Sequence, residues 1–164
     1  MIYVADTTII AEFLKKHPDP HVAEWAREYG EDIYLTTIAL AQLHYDIERL
    51  PEGRRKDALS HAVRAISAEC SQRVYDFDGF SAELCAELRC KAESRGFAPD
   101  IADCMTAAVC QRNGATLATH DVDTFAPFGI ATFDPWSYKS PNVKSSRKRE
   151  REDERQMKIG RAHV

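Results

Sequence analysis

Three aspartates, Asp6, Asp103 and Asp121, stand where their carboxylates can face one crevice. Asp6 directly follows the apolar run Ile2-Tyr3-Val4-Ala5. Asp121 comes two residues after Thr116-Leu117-Ala118-Thr119. In an open parallel sheet, sites form outside the carboxyl ends of strands, where the strand order reverses. Asp103 falls in the first turn of a helix expected from Ile101, a position where the helix dipole favours negative charge. Without Cys or His partners, such a set makes an all-oxygen site suited to Mg²⁺ or Mn²⁺. An ion of that kind acidifies a water and stabilises charge on a phosphodiester. Thr8 or Thr119 can hold such a water by hydrogen bond. Each aspartate taken alone has a plainer explanation: a turn or cap for Asp6, a helix start for Asp103 with Asp100, a strand end for Asp121.

The elements that must position these residues alternate along the chain. The run 2–5 and the segments 33–36, 73–77, 116–119 and 130–133 read as strands. Between them, helices are expected over 9–14, 21–29, 37–50, 54–70, 81–94 and 101–113. Thr7 or Thr8 is the expected cap of the first helix, Thr37 of the third and Asp100 of the last, with Asp103 at its N3 capping-box position. Pro18 and Pro20, Pro51-Glu52-Gly53, Gly96 and Gly114 break the chain between elements. This alternation predicts an α/β fold, a central parallel sheet with helices on both faces.

Residues 1–136 hold 13 basic and 22 acidic side chains, a balance of −9. A body of that charge does not coat nucleic acid electrostatically, so a metal or a local basic patch must attract any such substrate. Arg49, Arg54, Arg55 and Lys56 form one such patch, equally readable as a solvated helix face. The five cysteines have no CxxC spacing and read as reduced apolar side chains. No signal peptide or membrane span is seen, so the expected location is the cytoplasm. Residues 137–164 carry nine Lys/Arg and four Asp/Glu without an apolar stripe, which predicts a charged, disordered or frayed helical tail. The string Ile159-Gly160-Arg161-Ala162-His163-Val164 matches a sequencing adapter translated in one frame. The natural chain is therefore expected to end or diverge before Ile159.

Four segments resemble the sequence blocks of PIN-domain ribonucleases of the VapC and FitB type. They are Val4–Glu12, Leu40–Arg55, Ile101–Ala108 and Gly114–Asp121, in that family's order and spacing. Phe133-Asp134-Pro135-Trp136 resembles its closing strand, so the likeness spans residues 1–136. It implies a PIN-like three-layer fold and a Mg²⁺-dependent endoribonuclease that cleaves single-stranded RNA by metal-activated water. Asp6 and Asp103 are then the metal ligands, and Asp121 completes the site directly or through water. The family's second acidic position, a glutamate, is Gln42 here, which keeps an acceptor oxygen and loses the charge. Asp46, one helical turn on, offers partial compensation. The resemblance also implies a homodimer and a small VapB-like or FitA-like antitoxin whose arginine enters the acidic crevice.

Two other readings compete. In one, Gln42 has weakened or abolished catalysis, leaving a domain that binds antitoxin or RNA. In the other, Asp6-Thr7-Thr8 belongs to a haloacid dehalogenase type of phosphatase. That class needs Asp-x-Asp, and the second aspartate is missing.

Overall fold

The computed structural model describes residues 1–161, with all side chains except those of residues 142–150 and 161. Residues 162–164, the end of the adapter-like string, lie outside the described residues. Five strands, β1 (Tyr3–Ala5), β2 (Ile33–Thr36), β3 (Val74–Tyr75), β4 (Thr116–Ala118) and β5 (Thr132–Phe133), form one parallel sheet in the order β3-β2-β1-β4-β5. The chain moves outward from β1 to β3 on one side and from β4 to β5 on the other. The order therefore reverses between β1 and β4, whose register pairs Ala5 with Ala118.

Among the described residues eight α-helices accompany the strands: α1 (Thr7–Phe13), α2 (Pro20–Tyr29), α3 (Thr37–Glu48), α4 (Arg54–Glu69), α5 (Gly79–Ser94), α6 (Ile101–Arg112), α7 (Val122–Phe125) and α8 (Pro141–Arg161). Alternation along the strands separates two cores. Tyr3, Ala5, Ile33 and Leu35 face Ile9, Ile10, Trp25, Ala39 and Leu43 of α1 to α3. Val4 and Leu117 face Cys85 and Leu88 of α5, Cys104, Ala107 and Ala108 of α6, and Phe125. The result is the three-layer α/β arrangement expected from the sequence. Cys85, Cys104 and Cys110 are buried and free, and burial pushes the Cys110 thiol up to about 12. They pack as small apolar groups. Gly114, at φ +61, lets α6 turn into β4 through a left-handed residue that side chains disfavour.

Several local expectations are corrected. Asp6, not Thr7 or Thr8, caps α1, because its carboxylate reaches the N–H groups of Thr8 and Ile9. Thr36 rather than Thr37 caps α3, through Ala39 N. The strands at 73–77 and 130–133 shrink to two residues each, and α7 lies in a stretch where no element was expected. α8 is a single helix, and its described side chains, residues 151–160, are exposed.

Packing continues past Trp136. Tyr138 is buried, its ring meets Tyr29 edge-on at 6.0 Å, its hydroxyl donates to Glu28, and its carbonyl lies 2.7 Å from His21 Nδ1. Ser140 is also buried. Tyr138→Ala is expected to cost about 3 kcal/mol, which lowers Tm by about 6–12 °C in a chain of this size. Thermal unfolding is the check. A chain ending at Ser140 should melt close to the full-length protein, and one ending at Trp136 should match Tyr138→Ala.

Candidate functional site

Asp6 leaves β1 at the point where the strand order reverses, and its backbone N–H donates to Ala118 O at 3.1 Å. Its side chain is 7% exposed. Oδ1 accepts from Thr8 N at 2.9 Å, from Ile9 N at 3.3 Å and from the Thr8 hydroxyl. Oδ2 accepts from the Thr119 hydroxyl. Each threonine oxygen in turn accepts a backbone N–H from the loop after β4: His120 N reaches Thr8 Oγ1 at 3.1 Å, and Asp121 N reaches Thr119 Oγ1 at 3.0 Å. The threonines were expected to hold a water. Their protons are instead committed to Asp6. A carboxylate has about four acceptor directions, so Oδ2, with one donor, is the oxygen left to meet a ligand.

Asp6 opens onto a cleft of about 280 Å³ that Gln42 of α3, Asp103 and Thr106 of α6, Asp121 and Thr124 also line. Among the described residues the carboxylates of Asp103 and Asp121 accept no hydrogen bond. The capping-box role expected of Asp103 is not made: Asp100 caps α6 through Ala102 N alone. Burial, and then the charges of Asp100, Asp6 and Asp121, hold the Asp103 carboxyl above its ordinary range. Burial raises Asp6 as well, against the lowering effect of its four hydrogen bonds. Among the described residues no Lys, Arg or His lines the cleft.

The four candidate residues thus share one cleft, and Gln42 brings its neutral amide to it. Asp46 is exposed and outside the lining, so it gives no compensation. The basic patch is also outside: Lys56 is held by Glu52 at 2.7 Å and Glu48 at 3.7 Å, and Arg49 lies over the Tyr45 ring. Among the described residues no three His, Cys, Asp or Glu side chains are close enough to cage a metal. The donors still fit a hard divalent ion. They are oxygens only, they repel one another, and Mg²⁺ keeps several waters while taking only one or two carboxylates. Thr106, Thr124 and the clamping role of Thr8 and Thr119 escaped the sequence reading, since lone threonines carry no spacing signal.

A PIN-domain family profile matches residues 3–129. The plasmid stability protein StbB of Pseudomonas syringae pv. tomato is 34% identical over 133 residues, covering 80% of this chain and 96% of its own. The toxin FitB of Neisseria gonorrhoeae is 31% identical over the same shares. A VapC ribonuclease of Sinorhizobium fredii is 29% identical over 81% of this chain and 96% of its own. The solved structure of FitAB bound to a DNA fragment superposes with a TM-score of 0.77 at 28% identity, covering 85% of this chain and 99% of the other.

The raised carboxyls fix a pH dependence. The unfolded chain loses the Asp103 proton near its ordinary value of 3.8, and the folded protein loses it only at higher pH. The folded state therefore loses stability as pH rises across that interval and carries the full penalty above it. At pH 8 without metal, Asp103→Asn is expected to raise Tm by about 2 °C. The difference should shrink as pH falls toward 4. Added Mg²⁺ should raise the Tm of the parent protein and leave that of Asp103→Asn nearly unmoved. Scanning calorimetry with EDTA or Mg²⁺ reads both.

Proposed function

The chain belongs to the PIN-domain family, and from that premise we propose that it is a metal-dependent endoribonuclease, the toxin of a toxin–antitoxin pair, acting on single-stranded RNA. The observation that carries this reading is the cleft in which Asp6, Asp103 and Asp121 meet without a basic side chain. Carboxylates gathered at a strand-order reversal without a basic partner favour a cation, and a cation there is what a phosphodiester substrate needs. The similarity to FitB, named a toxin, and to a VapC ribonuclease supports the same conclusion.

In this mechanism Asp6 and Asp103 would hold Mg²⁺ or Mn²⁺. When bound, such an ion would supply Lewis acidity toward the phosphodiester and acidify a water. Thr8 and Thr119 fix the Asp6 carboxylate so that it does not reorient as charge develops. Asp121, whose carboxylate takes no protein hydrogen bond, orients the water or accepts its proton. Gln42 offers one neutral acceptor oxygen.

Residues 1–136, extended by the packed segment to Ser140, constitute the nuclease, and the remaining tail is dispensable for it. Its regulator is an antitoxin of the VapB or FitA kind. FitB's solved complex with FitA and DNA motivates that partner, and an acidic cleft suits an inserted guanidinium. A homodimer that pairs two clefts along one RNA completes the assembly. Among the described residues no helix is long and apolar enough to cross a membrane.

A second reading has one specific observation behind it: the cleft carries Gln42 where a glutamate would add a fourth charge. On that reading the protein binds antitoxin or RNA and has lost catalysis. Cleavage of total RNA by the purified full chain separates the two. Cleavage with Mg²⁺ or Mn²⁺, abolished by EDTA and by Asp6→Ala, is the outcome expected of the nuclease. Gln42→Glu should then raise kcat/KM about tenfold, worth about 1.4 kcal/mol in the transition state. A folded, metal-supplied protein that cleaves only as Gln42→Glu would be a binding module.

A further inference from the structure

His120, Asp134 and Trp136 are left unused by the nuclease mechanism and form a platform on the loop that carries Asp121 into the cleft. His120 lies between Thr119 and Asp121, and its N–H is tied to Thr8 Oγ1 at 3.1 Å. Its backbone is thereby fixed to the same threonine that clamps Asp6. The imidazole packs on the Trp136 indole, with ring centroids 4.1 Å apart and planes inclined by 33°. Nδ1 lies 3.4 Å from Asp134 Oδ1 and 3.3 Å from Oδ2. Asp134 is itself anchored, accepting Trp136 N at 2.9 Å. A ring held by an indole on one side and a carboxylate at one nitrogen has a set orientation, yet the His120 side chain remains 53% exposed.

We propose that His120 is a base-stacking residue for the RNA substrate, seating a nucleobase next to the phosphodiester that enters the cleft. This inference rests on the nuclease reading above. Its physical motive is the missing positive charge. Among the described residues no basic side chain lines the cleft; Lys56 is engaged with Glu48 and Glu52, and Arg95 with the Pro127 carbonyl. Phosphate contacts, the usual source of affinity for nucleic acid, are therefore scarce where the carboxylates are dense. Stacking on an aromatic face supplies affinity that does not depend on phosphate charge and tolerates any base. It is also the usual means of holding splayed single-stranded RNA. A histidine backed by tryptophan offers a wide, stiff surface for it, and rigid support is what a positioning site requires.

The test uses the full chain and a random-sequence single-stranded RNA 16-mer labelled at both ends, with KM and kcat from cleavage in Mg²⁺ and Kd from anisotropy. His120→Ala is expected to raise KM and Kd about tenfold, the ordinary loss for one stacked base, with kcat and Tm unchanged. His120→Phe should restore both constants, and His120→Gln should not. The stacking role predicts one further result. A 16-mer with abasic sites should bind the parent protein and His120→Ala equally well. Rescue by glutamine rather than phenylalanine would overturn the proposal, because the residue would then act as a hydrogen-bonding group. So would KM and Kd values indifferent to position 120 in a protein that binds or cleaves the RNA. A parent protein that neither binds nor cleaves the 16-mer would overturn the nuclease reading and this inference together.

Discussion

A carboxylate buried as deeply as Asp6 must have most of its charge answered from within the protein, because little of it meets solvent. The answer comes from two backbone N–H groups at the start of α1 and from the hydroxyls of Thr8 and Thr119. Each hydroxyl also accepts a backbone N–H from the loop that follows β4. Two short relays therefore run from that loop, one through Thr8 to Asp6 Oδ1 and the other through Thr119 to Oδ2. They join the end of β1, the first turn of α1 and the exit of β4, the three pieces that meet at the reversal of strand order. The position of Asp121 and of the His120 ring follows from this knot. So does the acceptor direction that Asp6 Oδ2 keeps open toward the cleft.

The opposite wall of the cleft depends on how closely α6 can approach the sheet. Its buried positions are Cys104, Thr106, Ala107, Ala108, Val109 and Cys110, small or compact side chains all. A helix with that face packs close to Val4 and Leu117, and its first turn then brings Asp103 beside Asp6 and Asp121. Nothing in the fold compensates that carboxylate. It accepts no hydrogen bond among the described residues, and burial, then three other acids, raise its pKa. Elsewhere the buried acid Glu12 accepts the Asp19 N–H and pairs with Lys15. The contrast is local and chemical: the fold satisfies its charges except where a cation is expected, which is where natural proteins give up stability for function.

Much of this was legible in the sequence, and the exceptions have physical causes. Apolar runs ending at Asp6 and near Asp121, separated by helical spacing, were enough to set the parallel sheet and two of the carboxylates. The strand order itself was not readable, because β3 and β5 pair through only two residues each and carry little pattern. The cap of α1 was misassigned for an instructive reason. Asp6 serves as cap and cleft residue at once, and propensity rules offer Thr7 and Thr8 as equally good caps. Tyr138 gave no signal because a lone aromatic beyond the last strand resembles the start of a tail until its contacts with Tyr29 and Glu28 are seen. Gln42 was legible only through the family resemblance; composition and spacing give a helical glutamine no role.

Gln42 then shows how one neutral atom shifts a site between two demands. A glutamate there would be repelled by Asp6, Asp103 and Asp121 in the metal-free protein. It would be attracted by a divalent ion with twice the charge of any one of them. Coulomb energy varies inversely with distance, and an ion lies about 2 Å from its ligand oxygens. Carboxylate oxygens of separate side chains stand farther apart than that, because van der Waals contact keeps them so. With the ion bound, attraction therefore exceeds repulsion, and without it repulsion stands alone. Glutamine removes both. On the proposed reading, the chain accepts weaker hold on its cation and gains a cleft with less internal repulsion when empty. On the same reading, a guanidinium inserted by the proposed antitoxin would meet three carboxylates rather than four.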